Sequence, residues 1–147
     1  MLNALSVSLE NANEDGLRRA ALVMERQGFV LAWRFAWNDV VAEAWCHPSQ
    51  RDVADSAVEI PTGTACCVGP LWYRGRFGNE ALRLLIDEGN QGDAIDETSL
   101  RGNYALFLQT RSGCTLFNDA LGFVRVYACR DGRFHSTSWL AACAYAG

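Results

Sequence analysis

The sequence has no lysine, and this absence removes two kinds of chemistry. All 13 basic residues are arginine, so no side-chain amine can form a Schiff base or serve a lysine-dependent phosphate site. Such a composition is typical of a GC-rich bacterial gene, although arginine also suits forked recognition of carboxylates. The net charge of −4 comes without a clustered positive face, which argues against nucleic-acid binding.

Long apolar runs, linkers and export signals are also missing. Apolar stretches such as 20–24 and 140–144 are far shorter than the roughly 20 residues of a membrane span. Only three prolines and no biased tract occur, so we expect a single domain over 1–147. The N-terminus has neither the basic flank nor the apolar segment of a signal peptide. We therefore expect a cytoplasmic protein outside the membrane.

The six cysteines form no Cys-x-x-Cys pair, so neither a disulfide framework nor a zinc site is indicated. In a cytoplasmic protein we expect most of them to be small buried side chains. Cys66-Cys67 leaves one alternative open, because cleavage before either residue would create an N-terminal nucleophile. His47 follows Cys46, but adjacent residues of a strand point to opposite faces, which disfavours a Cys–His dyad.

No metal or cofactor is expected. Asp93, Asp96 and Glu97 lie in one acidic stretch, but they lack the twelve-residue calcium-loop pattern. We interpret this stretch as a solvated loop.

Hydrophobic periodicity predicts an α+β fold. Apolar and small polar residues alternate over 2–9, which predicts a strand. Apolar residues recur at helical spacing after Asn13 and predict a helix that ends at Gly28. A second helix is predicted over 80–88 and ends at Gly89. Two further strands, 29–37 and 40–45, form a predicted hairpin whose aromatic side chains we expect in the core. The other predicted strands are 58–68 with a break at 61–63, 104–109, 114–118, 124–129 and 133–136. The last four strands read as an antiparallel meander, and a short helix begins at Trp139. A sandwich of two antiparallel sheets with flanking helices fits this order best.

Three segments in the C-terminal third resemble a known family. They read Leu-Arg-Gly-Asn-Tyr-Ala-Leu-Phe-Leu from position 100, Leu-Phe-Asn-Asp-Ala-Leu-Gly-Phe-Val-Arg-Val-Tyr from 116 and Asp-Gly-Arg-Phe-His-Ser-Thr-Ser-Trp-Leu from 131. The pattern is similar to that of the glutaminase domain of the asparagine synthetase family, which runs Leu-x-Gly-x-Phe-Ala, Arg-Asp-x-x-Gly-x-x-Pro-Leu-Tyr-Tyr and Phe-Ala-Ser-Glu. The matching positions are Gly102, Ala105, Asp119, Gly122, Tyr127, Phe134 and Ser136. Further back, Val-Gly-Pro-Leu-Trp-Tyr from 68 resembles the family's Asn-Gly-Glu-Ile-Tyr-Asn segment.

The resemblance implies the N-terminal-nucleophile αββα sandwich, but without its chemistry. In active members, the cysteine after the initiator methionine attacks glutamine, its own α-amino group is the base, and an Asn-Gly pair stabilises the oxyanion. Here Leu2 takes the nucleophile position and Val68 that of the oxyanion asparagine, whereas Gly69 is retained. With Asp119, these residues are the vestigial-site positions, and no catalytic residue is expected.

The retained residues are expected to serve as scaffold. Gly69 and Gly122 would permit close backbone approach, Asp119 would cap a turn, and Tyr127 and Phe134 would pack in the core. The resemblance thus implies a non-catalytic domain that docks onto an ATP-dependent, asparagine-synthetase-like amide-forming unit. That unit would lie in the same parent chain or in a separate one.

One further segment is a candidate ligand or partner contact. Trp72, Tyr73, Arg74 and Arg76 combine aromatic area with two guanidinium groups, which suits a carboxylate ligand, a peptide or a partner chain. The alternative is a basic loop held by acidic neighbours such as Glu80. Two other functions stay open, namely a small acid or peptide binding module and a thiol hydrolase that uses an internal cysteine after processing.

Overall fold

The computed structural model of the chain describes residues 2–50, 55–92 and 94–147. The strands are β1 (Ala4–Leu9), β2 (Val30–Trp37), β3 (Val40–Cys46), β4 (Ala57–Ile60), β5 (Gly63–Val68), β6 (Leu71–Tyr73), β7 (Arg76–Phe77), β8 (Leu100–Gly102), β9 (Ala105–Thr110), β10 (Gly113–Asn118), β11 (Tyr127–Ala128) and β12 (Phe134–Ser136). The helices are α1 (Glu14–Arg26), α2 (Asn79–Gln91) and α3 (Trp139–Ala146), with 3-10 turns at Pro48–Gln50 and Glu97–Ser99. The predicted α+β class is confirmed. No helix in the described ranges has the length and apolar character needed to cross a membrane.

The described strands form three antiparallel sheets, whereas two were predicted. One sheet has the order β11-β12-β1-β3-β2, a second β10-β9-β5-β4, and a small third sheet β7-β6-β8. The third sheet arises because Gly69, with φ +86°, and Pro70 end β5. Leu71 then pairs with Gly102 of β8 and leaves the β5 ladder.

The chain divides into two compact units. The first comprises described residues 55–92 and 94–124, with the four- and three-stranded sheets and α2. The second comprises 2–50 and 125–147, with the five-stranded sheet, α1 and α3. The prediction of one C-terminal meander is therefore wrong. β9 and β10 pair in the first unit and β11 and β12 in the second, because the loop after β10 is closed on Asp119 and does not form a hairpin turn.

In the second unit, α1 and α3 pack together on the five-stranded sheet. The Asn13 side chain caps α1 by accepting the Gly16 N–H at 3.0 Å, as the sequence predicts. Its buried residues Ala20 and Met24 join a core with Trp45 and Tyr145. The short helix α3 gains from α1 the packing surface that a helix of this length needs.

Two aromatic predictions for this unit require correction. The aromatic side chains of β2, which the sequence suggests are core, are only half-buried because β2 is the outer strand of its sheet. Tyr127 is also half-buried, on the edge strand β11, and meets Trp139 edge-on at a centroid distance of 5.2 Å. Phe134 is buried, as predicted, and stacks on Tyr145 at 4.7 Å.

In the first unit, α2 packs against β5 and β9. Its buried face, including Leu82, Leu85 and Ile86, joins the unit's apolar core. The helix runs past the predicted end at Gly89, where a Cβ would lie 2.7 Å from the Thr110 side chain. Gly92, with φ +83°, is the left-handed residue that ends it.

Replacing Gly16 by alanine should destabilise the protein, although alanine favours helix by about 1 kcal/mol. A Cβ at this position would lie 2.8 Å from the Tyr145 carbonyl oxygen and 2.9 Å from its ring. We expect Gly16→Ala to lower the free energy of unfolding by about 1–3 kcal/mol, measured by urea denaturation. Glu25→Ala, on the exposed side of α1, is the control and should change stability by less than about 0.5 kcal/mol. A more stable Gly16→Ala protein would contradict this packing.

Candidate functional site

The two positions implied for nucleophile and oxyanion donor carry buried aliphatic side chains. Leu2 precedes β1 in the second unit, and Val68 ends β5 in the first, and both are buried. Neither side chain has a hydrogen-bond donor or a nucleophilic atom.

Gly69 and Gly122 both need glycine, but for different reasons. Gly69 has φ +86°, and a Cβ there would collide with the carbonyl oxygen of Asn103. The predicted close backbone approach is therefore confirmed at Gly69. At Gly122, a Cβ would meet no atom within 4 Å, so the prediction of a close backbone approach is wrong there. Its φ of +66° is what favours glycine there.

Asp119 caps the loop that follows β10, as predicted. Its buried carboxylate accepts the N–H groups of Leu121 at 3.2 Å, Phe123 at 2.9 Å and Val124 at 2.8 Å. Burial by itself raises the pKa of this carboxyl, but the hydrogen bonds from Val124, Phe123 and Leu121 outweigh it, and the pKa lies below its ordinary value. The loop is therefore closed on an ionised carboxylate.

The segment 73–77 is a hairpin tip held by two carboxylates of α2. Arg74 (φ +46°) and Gly75 (φ +78°) form its two-residue turn. Arg74 pairs with Glu88 at 3.0 Å, and Arg76 pairs with Glu80 at 3.2 Å. The Glu80 contact named in the alternative interpretation is thus present.

Tyr73 and Trp72 face different environments on this hairpin. Tyr73 is buried and donates its hydroxyl to Glu88 at 2.5 Å. Burial raises the pKa of Tyr73, and the hydrogen bond to Glu88 raises it further. Trp72 is 42% exposed and packs on Phe77, which is 51% exposed, at a centroid distance of 4.7 Å.

A pocket of about 250 Å³ lies in the first unit beside the end of β5. Its described lining residues are Asp55, Ser56, Cys67, Gly69, Pro70, Leu71, Phe77, Gly78 and Leu82. The pocket includes Gly69 of the vestigial-site positions and none of the four predicted contact residues. Sequence reasoning did not find it, because it depends on three separate segments meeting in space.

The pocket thiol is not an activated nucleophile. Burial raises the pKa of Cys67 to about 12, and that of the neighbouring Cys66 is raised well above its ordinary value. Cys67 Sγ lies 3.5 Å from the Gly69 carbonyl oxygen and 3.7 Å from that of Val68. At neutral pH the group is a thiol, whereas attack on a carbonyl requires a thiolate.

The remaining cysteines and the acidic stretch show structural roles. Cys46, Cys66 and Cys67 are buried, and none of the six cysteines, all of which lie in the described ranges, forms a disulfide. Asp93 lies outside the described residues. Asp96 accepts hydrogen bonds from the Thr98 N–H at 3.1 Å and the Ser99 hydroxyl at 2.5 Å. In the part of the chain that the structure describes, no group of three or more potential ligands could hold a metal ion.

No protein-family model, curated protein or solved structure matches this chain. The resemblance to glutaminase domains therefore stays a prediction.

Asp119→Asn should destabilise the protein at neutral pH by about 1–3 kcal/mol, because it weakens three charge-assisted hydrogen bonds. The folded-state pKa is lowered, so the carboxylate stabilises the fold above its ordinary pKa, and this contribution is lost as the pH falls through the folded-state pKa. Urea denaturation at a series of pH values should show that the free energies of unfolding of the wild-type protein and of Asp119→Asn become more alike as the pH falls. Asp87→Asn, an exposed change on α2, is the charge-matched control. A difference between these two free energies of unfolding that grows as the pH falls would contradict the role assigned to Asp119.

Proposed function

We propose that this chain is a degenerate, non-catalytic glutaminase-like domain that supports an ATP-dependent, asparagine-synthetase-like amide-forming unit. The unit would lie in the same parent chain or in a separate cytoplasmic chain and would act in the biosynthesis of a small molecule or peptide. The observation that carries the proposal is the contrast between lost chemistry and retained scaffold. Leu2 and Val68 are buried aliphatic residues, whereas Gly69 and Asp119 make the contacts that the scaffold needs.

The N-terminal-nucleophile αββα sandwich is part of the same proposal. Each unit has an antiparallel sheet with helical packing, α1 and α3 in one and α2 in the other. The strands β5 and β9 are buried along their whole length, on both faces. Burial of both faces is what the inner sheets of such a layered fold require.

The exposed pair of Trp72 and Phe77 is the contact surface that we propose for the amide-forming unit. Aromatic side chains are common anchors at interfaces. The hairpin that carries them is fixed by its turn and by the Arg74–Glu88 and Arg76–Glu80 pairs. A surface that is already ordered loses little conformational entropy when a partner binds. Tyr73, being buried, supports the hairpin from within.

The two other functions receive less support. A carboxylate-binding module would need Arg74 and Arg76 in the pocket, but both pair with α2, and neither is among the described lining residues. A thiol hydrolase would need a reactive internal cysteine, and burial keeps Cys66 and Cys67 protonated.

Calorimetry between this chain and the synthetase-like unit tests the proposal. The unit is recognised by a Ser-Gly-Gly-x-Asp-Ser segment encoded in the same gene or beside it. We expect a saturable complex that Trp72→Ala weakens at least about tenfold.

The matched control is Trp139→Ala, which removes an exposed tryptophan of the second unit and should leave the affinity unchanged. Circular dichroism melting should show that both variants are folded. The absence of a complex with the wild-type chain would contradict the function. Equal loss of affinity in the two variants would contradict the contact surface.

A further inference from the structure

We propose that the pocket beside β5 binds a small primary amine with a short apolar body and holds its ammonium group against Asp55. This inference uses only contacts within the first unit and does not depend on the amide-forming unit. The carboxylate ligand that the sequence suggests belongs to the segment with Arg74 and Arg76, neither of which is among the described lining residues of this pocket.

The charge of the pocket is the first argument. Asp55 is the only charged residue among its described lining residues, and no described residue forms an ion pair with it. Arg74 and Arg76 are held by Glu88 and Glu80, and Arg83, which follows the lining residue Leu82, is exposed on α2. A carboxylate that forms no ion pair with the described residues suits a ligand that brings the positive charge.

The hydrogen-bonding groups of the pocket also favour a cationic ligand. The N–H of Cys67 already donates to the Ser56 carbonyl oxygen at 2.8 Å, and the N–H of Gly78 donates to the Leu71 carbonyl oxygen at 3.3 Å. Pro70 has no N–H. The Cys67 thiol is directed to backbone carbonyl oxygens. Among the described lining residues, Ser56 has a hydroxyl that could donate to a bound carboxylate, whereas an ammonium group brings three donors of its own.

The size and the apolar wall define the rest of the ligand. Leu71, Phe77 and Leu82 supply apolar area, which favours a hydrocarbon body. A volume of about 250 Å³ is below the 300–1,000 Å³ of pockets for drug-sized ligands. The ligand therefore has one cationic head and a body of about the size of one aromatic ring.

The test uses the full ¹⁵N-labelled chain and three probes of nearly the same shape, namely 2-phenylethylamine, 2-phenylethanol and 3-phenylpropionate. We expect the amine to produce saturable shifts of the backbone amides of Cys67, Gly69 and Gly78. The alcohol and the acid should bind at least about tenfold more weakly, because neither brings a positive charge to Asp55.

Two variants with the same change in net charge separate the site from the overall field of the protein. Asp55→Asn should weaken the amine about tenfold and leave the alcohol unchanged. Asp87→Asn should alter neither. Asp55 is exposed, so its variant should fold, which the amide spectrum checks directly. The proposal is overturned by the lack of saturable shifts at millimolar amine, by equal binding of amine and alcohol, or by amine binding that Asp55→Asn does not weaken.

Discussion

The left-handed turn at Gly69 is the constraint on which the architecture of the first unit depends. Only a residue without a Cβ can adopt φ +86° there while it lies against the carbonyl oxygen of Asn103. The turn ends β5 and directs Leu71–Tyr73 into a separate sheet with β8. It also forms part of the pocket wall. One backbone conformation thus fixes the end of the central strand, the start of the hairpin and the shape of the cavity.

Two carboxylates then hold the segments that extend from this framework. Glu88 is largely buried, and it accepts the Tyr73 hydroxyl and pairs with Arg74, which ties the hairpin to α2. Asp119 closes the loop after β10 on backbone N–H groups, so that Leu121 and Phe123 stand in solvent at 80% and 68% exposure. In both places a charge that is costly to bury is satisfied by hydrogen bonds, and the result is a surface segment of defined shape.

Local sequence patterns predict the individual elements well but not the way in which they combine. The Asn13 cap, the break at 61–63 and the first strand are encoded within a few residues, and the structure has these features. The alternation over 2–9 predicts a half-buried strand, whereas β1 is buried on both faces from Ala4 to Ser8. The assignment of β9 to β12 to different sheets depends on contacts between distant residues, which periodicity does not contain. The same holds for the pocket, because the spacing of residues along the sequence does not show that Asp55, Phe77 and Leu82 line one cavity. Arg74 and Arg76 could be found as a pair in the sequence, whereas their engagement by Glu88 and Glu80 required the fold.

We propose a scaffold of the glutaminase kind that has lost its chemistry, since Leu2 and Val68 take the positions of the nucleophile and the oxyanion donor. The most direct test is the release of ammonia from glutamine by the purified full chain, followed by an amide-¹⁵N label. The account predicts no release above a blank without protein. Release that is abolished by replacement of one of the six cysteines would contradict it.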